Sequence, residues 1–247
     1  MCTIGYHKDL GLILKNRDKT STITEEIIHN DRFIACRSSG ADYCSWGMNA
    51  FGCAFVTAAI NTPQWTQLVY DGNMSAADQV LSQETASLSN PVAVVSSLLP
   101  DVRQIDTWIE AVTSRPFLSL GYNLLFADRN RAVIVESFRN ERHVREPEHR
   151  TAITNHFQYL NHGPKAPDDY LSSFRRYEYA NKLISAASRE SDIFQMLKPD
   201  EPQQRQMIWR EGPFFTISST VIDFLHGQVY YAGGIDESYG LFVLNKT

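Results

Sequence analysis

The order of its elements marks this chain as an α+β protein with two mostly antiparallel sheets held between helical layers. Strands come first, then helices, strands again, one long helix and closing strands. Turn signals recur between paired apolar runs, at Asp9-Leu10-Gly11, His29-Asn30-Asp31 and Asp128-Arg129-Asn130, as antiparallel hairpins require. No internal repeat or low-complexity linker divides the 247 residues, so residues 1–247 are expected to form one domain.

Taken in order, Thr3 to His7 and Leu10 to Lys15 predict a hairpin, followed by the polar run Asn16-Arg17-Asp18. Thr22 to Ile28 and Arg32 to Cys36 predict a second hairpin. Ser38 to Trp46 is small and polar and reads as a loop. Asn49-Ala50-Phe51-Gly52 then turns into the near-continuous apolar strand Cys53 to Ile60, the pattern of a strand covered on both faces. That strand stops at Asn61-Thr62-Pro63.

The period then changes. Helices are expected from Ser75 to about Leu88, from Pro91 to Leu99 and from Asp106 to about Thr113. Strands return at Tyr122 to Ala127, Ala132 to Glu136, Arg142 to Arg145 and Thr151 to Thr154. Glu136 ends an apolar strand and could be semi-buried, although carboxylates at strand ends are usually solvated. Phe174, Tyr177, Ala180 and Ile184 form the apolar face of a helix starting at Ser172-Ser173, with Arg175 and Arg176 in its first turn. A cation is disfavoured there unless it is bound, so either one of the two pairs with a carboxylate, Asp18 or a substrate acid, or both are solvated at the surface. A short helix from Ser191 to Leu197, a polar loop from Lys198 to Gln206 that could reach over a site, and strands at 215–224, 228–232 and 241–244 complete the chain.

Composition excludes several function classes. Apolar residues make up 43% and charged residues 21% of the chain, which supports a sizeable core under a hydrated surface. A net charge of −5 argues against a nucleic-acid partner, which needs a basic face. No apolar run approaches the roughly 18–20 residues of a membrane span. The start of the chain also lacks the basic and apolar regions of a signal peptide, so no membrane partner is expected. Cys2, Cys36, Cys44 and Cys53 are not spaced as a zinc knuckle, and there is no Gly-rich phosphate loop. No metal or cofactor is expected, and a reducing, cytoplasmic setting is expected. Cys36 and Cys53 lie in apolar runs and read as core; Cys44, beside Asp42 and Ser45, reads as more open.

The chemistry gathers at the start. Once Met1 is removed, Cys2 carries a thiol nucleophile and a free α-amine on one residue. Such amines titrate near pH ~7.7–8.0 and can take the thiol proton. An attached Met1 would turn that base into an amide. An antiparallel hairpin returns Asn16-Arg17-Asp18 to the neighbourhood of Cys2, where Asp18 can orient the amine; the alternative is a plain polar loop. Asn61 closes a buried strand, a place where a backbone N–H can face a pocket. Asn155, released at another strand end, can donate its side-chain N–H to a developing oxyanion without taking the charge. His156 is an alternative catalytic base that an enzyme with a free α-amine does not require.

These pieces share one order: Cys2-Thr3, Asn16-x-Asp18, Asn49 to Gly52 leading to Asn61, Thr154-Asn155-His156-Phe157, then Ser172-Ser173 and Arg176. The chain thereby resembles the cysteine-type N-terminal nucleophile hydrolases, in particular the penicillin acyltransferase group, with the conjugated bile salt hydrolases as cousins. The resemblance implies a four-layer αββα sandwich. It also implies Cys2 as nucleophile, Asp18 as partner of its amine, the Asn61 backbone and the Asn155 side chain as oxyanion hole, and Arg176 behind the nucleophile. Many relatives carry Arg where this chain has Lys15, and Arg17 falls inside the motif, as in the NRDE-type proteins. Lys15 is expected to lower the thiol pKa as a point charge. With only Met1 ahead of Cys2, no self-cleavage is expected.

The implied reaction is acyl transfer through a Cys2 thioester. Its substrate is a small linear amide with an apolar acyl chain, and its acceptor is water or an amine. A non-catalytic binding or scaffold protein that keeps the fold is the alternative. The oligomeric state stays open, a homo-oligomer included.

Overall fold

In the computed structural model, residues 2–60, 63–77, 79, 90–117, 121–162, 167–200, 208, 209 and 211–244 are described. The expected first hairpin forms between β1 (Cys2–His7) and β2 (Leu12–Lys19), in antiparallel register with Cys2 opposite Arg17. Gly11 makes the turn at φ +66°, where a Cβ would sit 2.2 Å from Leu225 Cδ1; both conditions demand glycine. Asn16-Arg17-Asp18, expected beyond the strand, lies inside β2. There the three are buried, because both faces of this strand are covered.

β3 (Glu25–His29) and β4 (Phe33–Ser38) form the second hairpin. The expected loop at 38–46 is shorter than its composition implied, since Cys44 already enters β5 (Cys44–Asn49) and is buried there, contrary to its open reading. β6 (Ala54–Ile60) follows the Asn49–Gly52 turn. Asn49 donates to Leu99 O at 2.8 Å and Val102 O at 2.6 Å, closing the end of the helix packed below it.

Pro63 does not only end a strand; it opens α1 (Pro63–Tyr70), since Pro is suited to a first helical position. Most of the helix expected at 75–88 lies outside the described residues. α2 (Pro91–Leu98) is capped by Asn90, whose side chain accepts from Val92 N at 2.8 Å. α3 (Asp106–Thr113), β7 (Gly121–Ala127), β8 (Ala132–Phe138), β9 (Glu141–Arg145) and β10 (Arg150–Ile153) stand close to their expected places.

α4 (Pro167–Ala186) starts before Ser172, so Arg175 and Arg176 lie in its interior and not in its first turn. α5 (Glu190–Leu197), β11 (Phe215–Asp223), β12 (Gln228–Ala232) and β13 (Gly240–Val243) complete the described elements. The loop expected at 198–206 falls outside the described residues from 201 onward.

The strands make two antiparallel sheets. One has the order β10-β1-β2-β11-β12-β13, the other β3-β4-β5-β6-β7-β8-β9. Cys2, Ile4 and Ile13 of the first sheet meet Trp46, Val56 and Ile134 of the second in a core between them. The outer face of the second sheet buries Phe55, Leu124 and Phe126 against Val95 and Trp108 of α2 and α3. The outer face of the first buries Leu12, Leu14 and Val221 against Ala180 and Ile184 of α4 and Ile193 and Leu197 of α5. The layers run helix, sheet, sheet, helix. No helix among the described residues is long and apolar enough to cross a membrane.

Candidate active site

Strand alternation sorts the site residues between the two faces of the first sheet. Cys2 lies on the inner face in the intersheet core, as do Lys15 and Arg17. Thr3, Asn16 and Asp18 turn outward towards α4 and the segment after α5.

Cys2 is 7% exposed, and its backbone nitrogen donates to Asn155 Oδ1 at 2.8 Å. Arg176, wholly within the structure, braces the same corner. Its Nη1 donates to Cys2 O at 2.9 Å and Thr3 Oγ1 at 3.0 Å, and its Nη2 to Asn155 Oδ1 at 2.9 Å. Asp18 Oδ2 stands 3.9 Å from Arg176 Nη1, and Asp18 Oδ1 accepts from Thr216 Oγ1 at 2.7 Å. Arg176 therefore joins the terminus, the acid and the amide into one buried network, and Asp18 is the carboxylate it meets.

The amide nitrogen of Asn155 donates to Ala59 O at 2.6 Å, which ties it to the end of β6, next to Asn61. Asn61 itself lies outside the described residues. The loop bearing Asn155 is gripped from several sides. Asn123 donates to Thr154 O and His156 O at 2.9 and 3.0 Å, and Asn155 N donates to Ser173 Oγ at 2.9 Å. Glu136, at a strand end where carboxylates are usually solvated, is fully buried. It accepts the backbone N–H groups of Gln158, Tyr159 and Leu160 at 2.8–3.0 Å. Asn123 and Glu136 face each other across β7 and β8. A polar residue inside each of two otherwise apolar strands was the signal that could have singled them out.

On the inner face, Lys15 is buried and its Nζ donates to Ser45 O at 3.2 Å and to Thr57 O. Burial pushes its pKa down. For Cys2, burial opposes ionisation. The cations of Lys15, the chain's terminal amine and Arg17 outweigh it against a smaller opposition from Asp18, so the thiol lies below its ordinary pKa. The other three thiols are raised, first by burial: Cys44, Cys53 to about 12, and Cys36, where Glu25 adds to the effect. The fold thus activates one sulfur of four.

Arg17 is occupied elsewhere, paired with Glu25 and donating to Ser38 Oγ at 2.6 Å. His156 stacks on Phe174 with centroids 4.0 Å apart, and its Nδ1 lies 2.9 Å from Ser173 Oγ. Burial and the nearby Arg176 hold its pKa down at about 4, so it is a neutral support for the Asn155 loop. Among the described residues no set of His, Cys, Asp and Glu gathers as metal ligands.

No protein-family model and no curated protein matches this chain. Solved structures do. A cysteine-to-alanine mutant of the conjugated bile acid hydrolase from Clostridium perfringens aligns over 100% of this chain and 93% of its own, at 13% identity and a TM-score of 0.59. Penicillin V acylase from Agrobacterium tumefaciens aligns over 100% and 87%, at 14% identity and 0.52. The Caenorhabditis elegans ortholog of N-acylethanolamine-hydrolyzing acid amidase aligns over 91% and 93%, at 10% identity and 0.55. The chain therefore has the four-layer fold of these proteins, the N-terminal nucleophile hydrolase fold that Cys2-Thr3 and Asn16-x-Asp18 implied.

Proposed function

We propose that this protein is a cysteine amidohydrolase that cleaves small linear acyl amides through a thioester on Cys2, with an amine as an alternative acyl acceptor. The observation that carries the reading is the position of Cys2. Its thiol lies below its ordinary pKa beside Lys15, and its nitrogen is held 2.8 Å from Asn155 Oδ1 in a network with Arg176 and Asp18. The names of the structural neighbours, a bile acid hydrolase, a penicillin acylase and an acid amidase, agree with an amide substrate.

Removal of Met1 turns the Cys2 nitrogen into an α-amine. The sulfur, having passed its proton to that amine, attacks the amide carbonyl. The oxyanion is met by the second N–H of the Asn155 amide, the first being committed to Ala59 O, and by the backbone N–H of Asn61. The amine then returns the proton to the leaving nitrogen as the C–N bond breaks and the thioester remains. Water, deprotonated by the same amine, adds to the thioester and releases the acid and the thiol; an amine in place of water forms a new amide.

Turnover of a panel of acyl amides by the purified protein, with and without added amines, tests the reading. Cys2→Ala is expected to abolish turnover, and Asn155→Ala to lower kcat by about 10²–10³. Turnover retained by Cys2→Ala would refute the mechanism, and an inert Cys2 with Met1 retained would leave a binding protein in its place.

A further inference from the structure

β11 pairs with β2 in antiparallel register with one break. Asp18 stands opposite Thr216 and Arg17 opposite Ser218, so Ile217 is an extra residue, a β-bulge. The bulge changes which way two hydroxyls point. In an unbroken strand residues two apart share a face, and Thr216 would follow Ser218 to the inner face of the first sheet. The extra residue divides them. Ser218, level with Arg17, bonds Glu25 on the inner face, whereas Thr216, level with Asp18, donates to that carboxylate on the outer face. Re-aiming a side chain beside a site is a recurrent use of such bulges.

The re-aimed hydroxyl acts on a buried charge. Thr216 is 6% exposed and Asp18 1%. Their oxygens are 2.7 Å apart, the length of an O–H···O⁻ bond. An aspartate's last torsion is broad and roughly two-fold, so the plane of its carboxylate is set by what surrounds it. Thr216 holds Oδ1, while Oδ2 stands 3.9 Å from Arg176 Nη1, which itself donates to Cys2 O. By register Asp18 lies one step past the Cys2–Arg17 pair, on the side of the Cys2 nitrogen. Without the hydroxyl, Arg176 competes for both oxygens, as the fork of a guanidinium favours.

We propose that Thr216 is a positioning residue that keeps the Asp18 carboxylate turned towards the Cys2 nitrogen, through a hydroxyl that the bulge at Ile217 delivers. The inference rests on the amidase reading above, in which that nitrogen is the α-amine that takes the proton of the thiol and later of water. Thr216 acts through Asp18 and not on the substrate. The groups around the amine are Asp18 from β2, Asn155 from the loop after β10, Arg176 from α4, and Lys15 and Arg17 from β2. Asp18 and the Asn155 oxygen favour the charged amine, and the three cations oppose it.

Thr216→Val keeps the branched shape and removes the hydroxyl, Thr216→Ser keeps the hydroxyl, and Thr216→Ala repeats the test should Val not fit the bulge. With hexanoyl p-nitroanilide as substrate, kcat is expected to fall by about tenfold in Thr216→Val, the scale of one hydrogen bond to a charged group, with KM within about twofold. Thr216→Ser restores kcat to within about threefold of wild type. Because the effect passes through Asp18, adding Thr216→Val to Asp18→Asn costs less than about twofold more. A second measurement needs no turnover: acetic anhydride labelling of the α-amine against pH, in the Cys2→Ala background where no thiol competes for the reagent. Its midpoint is expected at lower pH with Thr216→Val and unmoved with Thr216→Ser. Wild-type kcat in Thr216→Val, a loss that multiplies in full with that of Asp18→Asn, or an unmoved midpoint overturns the role of Thr216 even if amides are cleaved. A midpoint that moves with Thr216→Val and not with Thr216→Ser, in a protein that cleaves no acyl amide, upholds Thr216 and overturns the amidase reading. A chain that keeps the initiator methionine overturns both.

Discussion

At Cys2 neighbouring cations, Lys15 foremost, outweigh the effect of burial on a thiol. Burial alone raises a thiol pKa, as it does for Cys36 and Cys53. Cys2 escapes because Lys15 faces it from the neighbouring strand. Lys15→Met removes that charge, so the thiolate fraction at neutral pH falls. The pH at which iodoacetamide half-maximally alkylates Cys2 should move up; an unchanged midpoint would show that Lys15 does not act on the sulfur. His156 carries the second prediction at this scale. Its pKa is about 4 when folded against roughly 6.5 when unfolded, so the unfolded chain takes the proton first. Its neutral form is fully retained above about pH 6.5, and stability falls as pH drops through about 4, by on the order of 3 kcal/mol in total. Urea midpoints measured from pH 7 to pH 4 should show this loss, and His156→Gln should flatten it.

Elements place these side chains, and some of them could be read from the residues alone. The Cys2–Lys19 hairpin was legible because apolar alternation and the Gly11 turn are local signals, and the register follows from them. The order Cys2, Asn16-x-Asp18, Asn155, Arg176 was legible as a pattern along the chain, although Asn16 to Asp18 lie inside β2 and Arg176 inside α4. Burial of Asn16, Arg17 and Asp18 within β2 was not legible. Their partners are Leu197 and Ile208, Glu25, and Arg176 and Thr216, and for Asn16, Asp18 and their partners the contacts span more than 150 residues. The full burial of Glu136 was not legible on the same ground, since its three N–H donors come from a loop in another part of the chain. Glu136→Ala leaves those donors unmade at a cost of about 1–3 kcal/mol for each one buried. Urea unfolding should register a loss of at least about 3 kcal/mol, while the exposed Asp101→Ala stays within about 0.5 kcal/mol. A loss below about 1 kcal/mol for Glu136→Ala would mean that the loop bearing Asn155 does not depend on it.

At the scale of the whole molecule, two antiparallel sheets face each other across an apolar core, and Cys2, the proposed nucleophile, lies at one edge of that core. The first sheet supplies Cys2, Lys15 and Asp18, α4 supplies Arg176, and the loop after β10 supplies Asn155, fastened to the second sheet through Ala59. The site therefore exists only when both sheets and one helical layer are assembled. The layering was readable from element order, whereas α1 and the early start of α4 were not, because a Pro that stops one element can equally begin the next. One measurement bears on all of it: brief incubation of the native protein with p-nitrophenyl hexanoate, an acid quench, and peptide mass spectrometry of the four cysteines. A single hexanoyl group on Cys2, absent from Cys2→Ala and lost with time as the thioester hydrolyses, is the predicted result. A hexanoyl group on Cys36, Cys44 or Cys53, or none on Cys2, would contradict it.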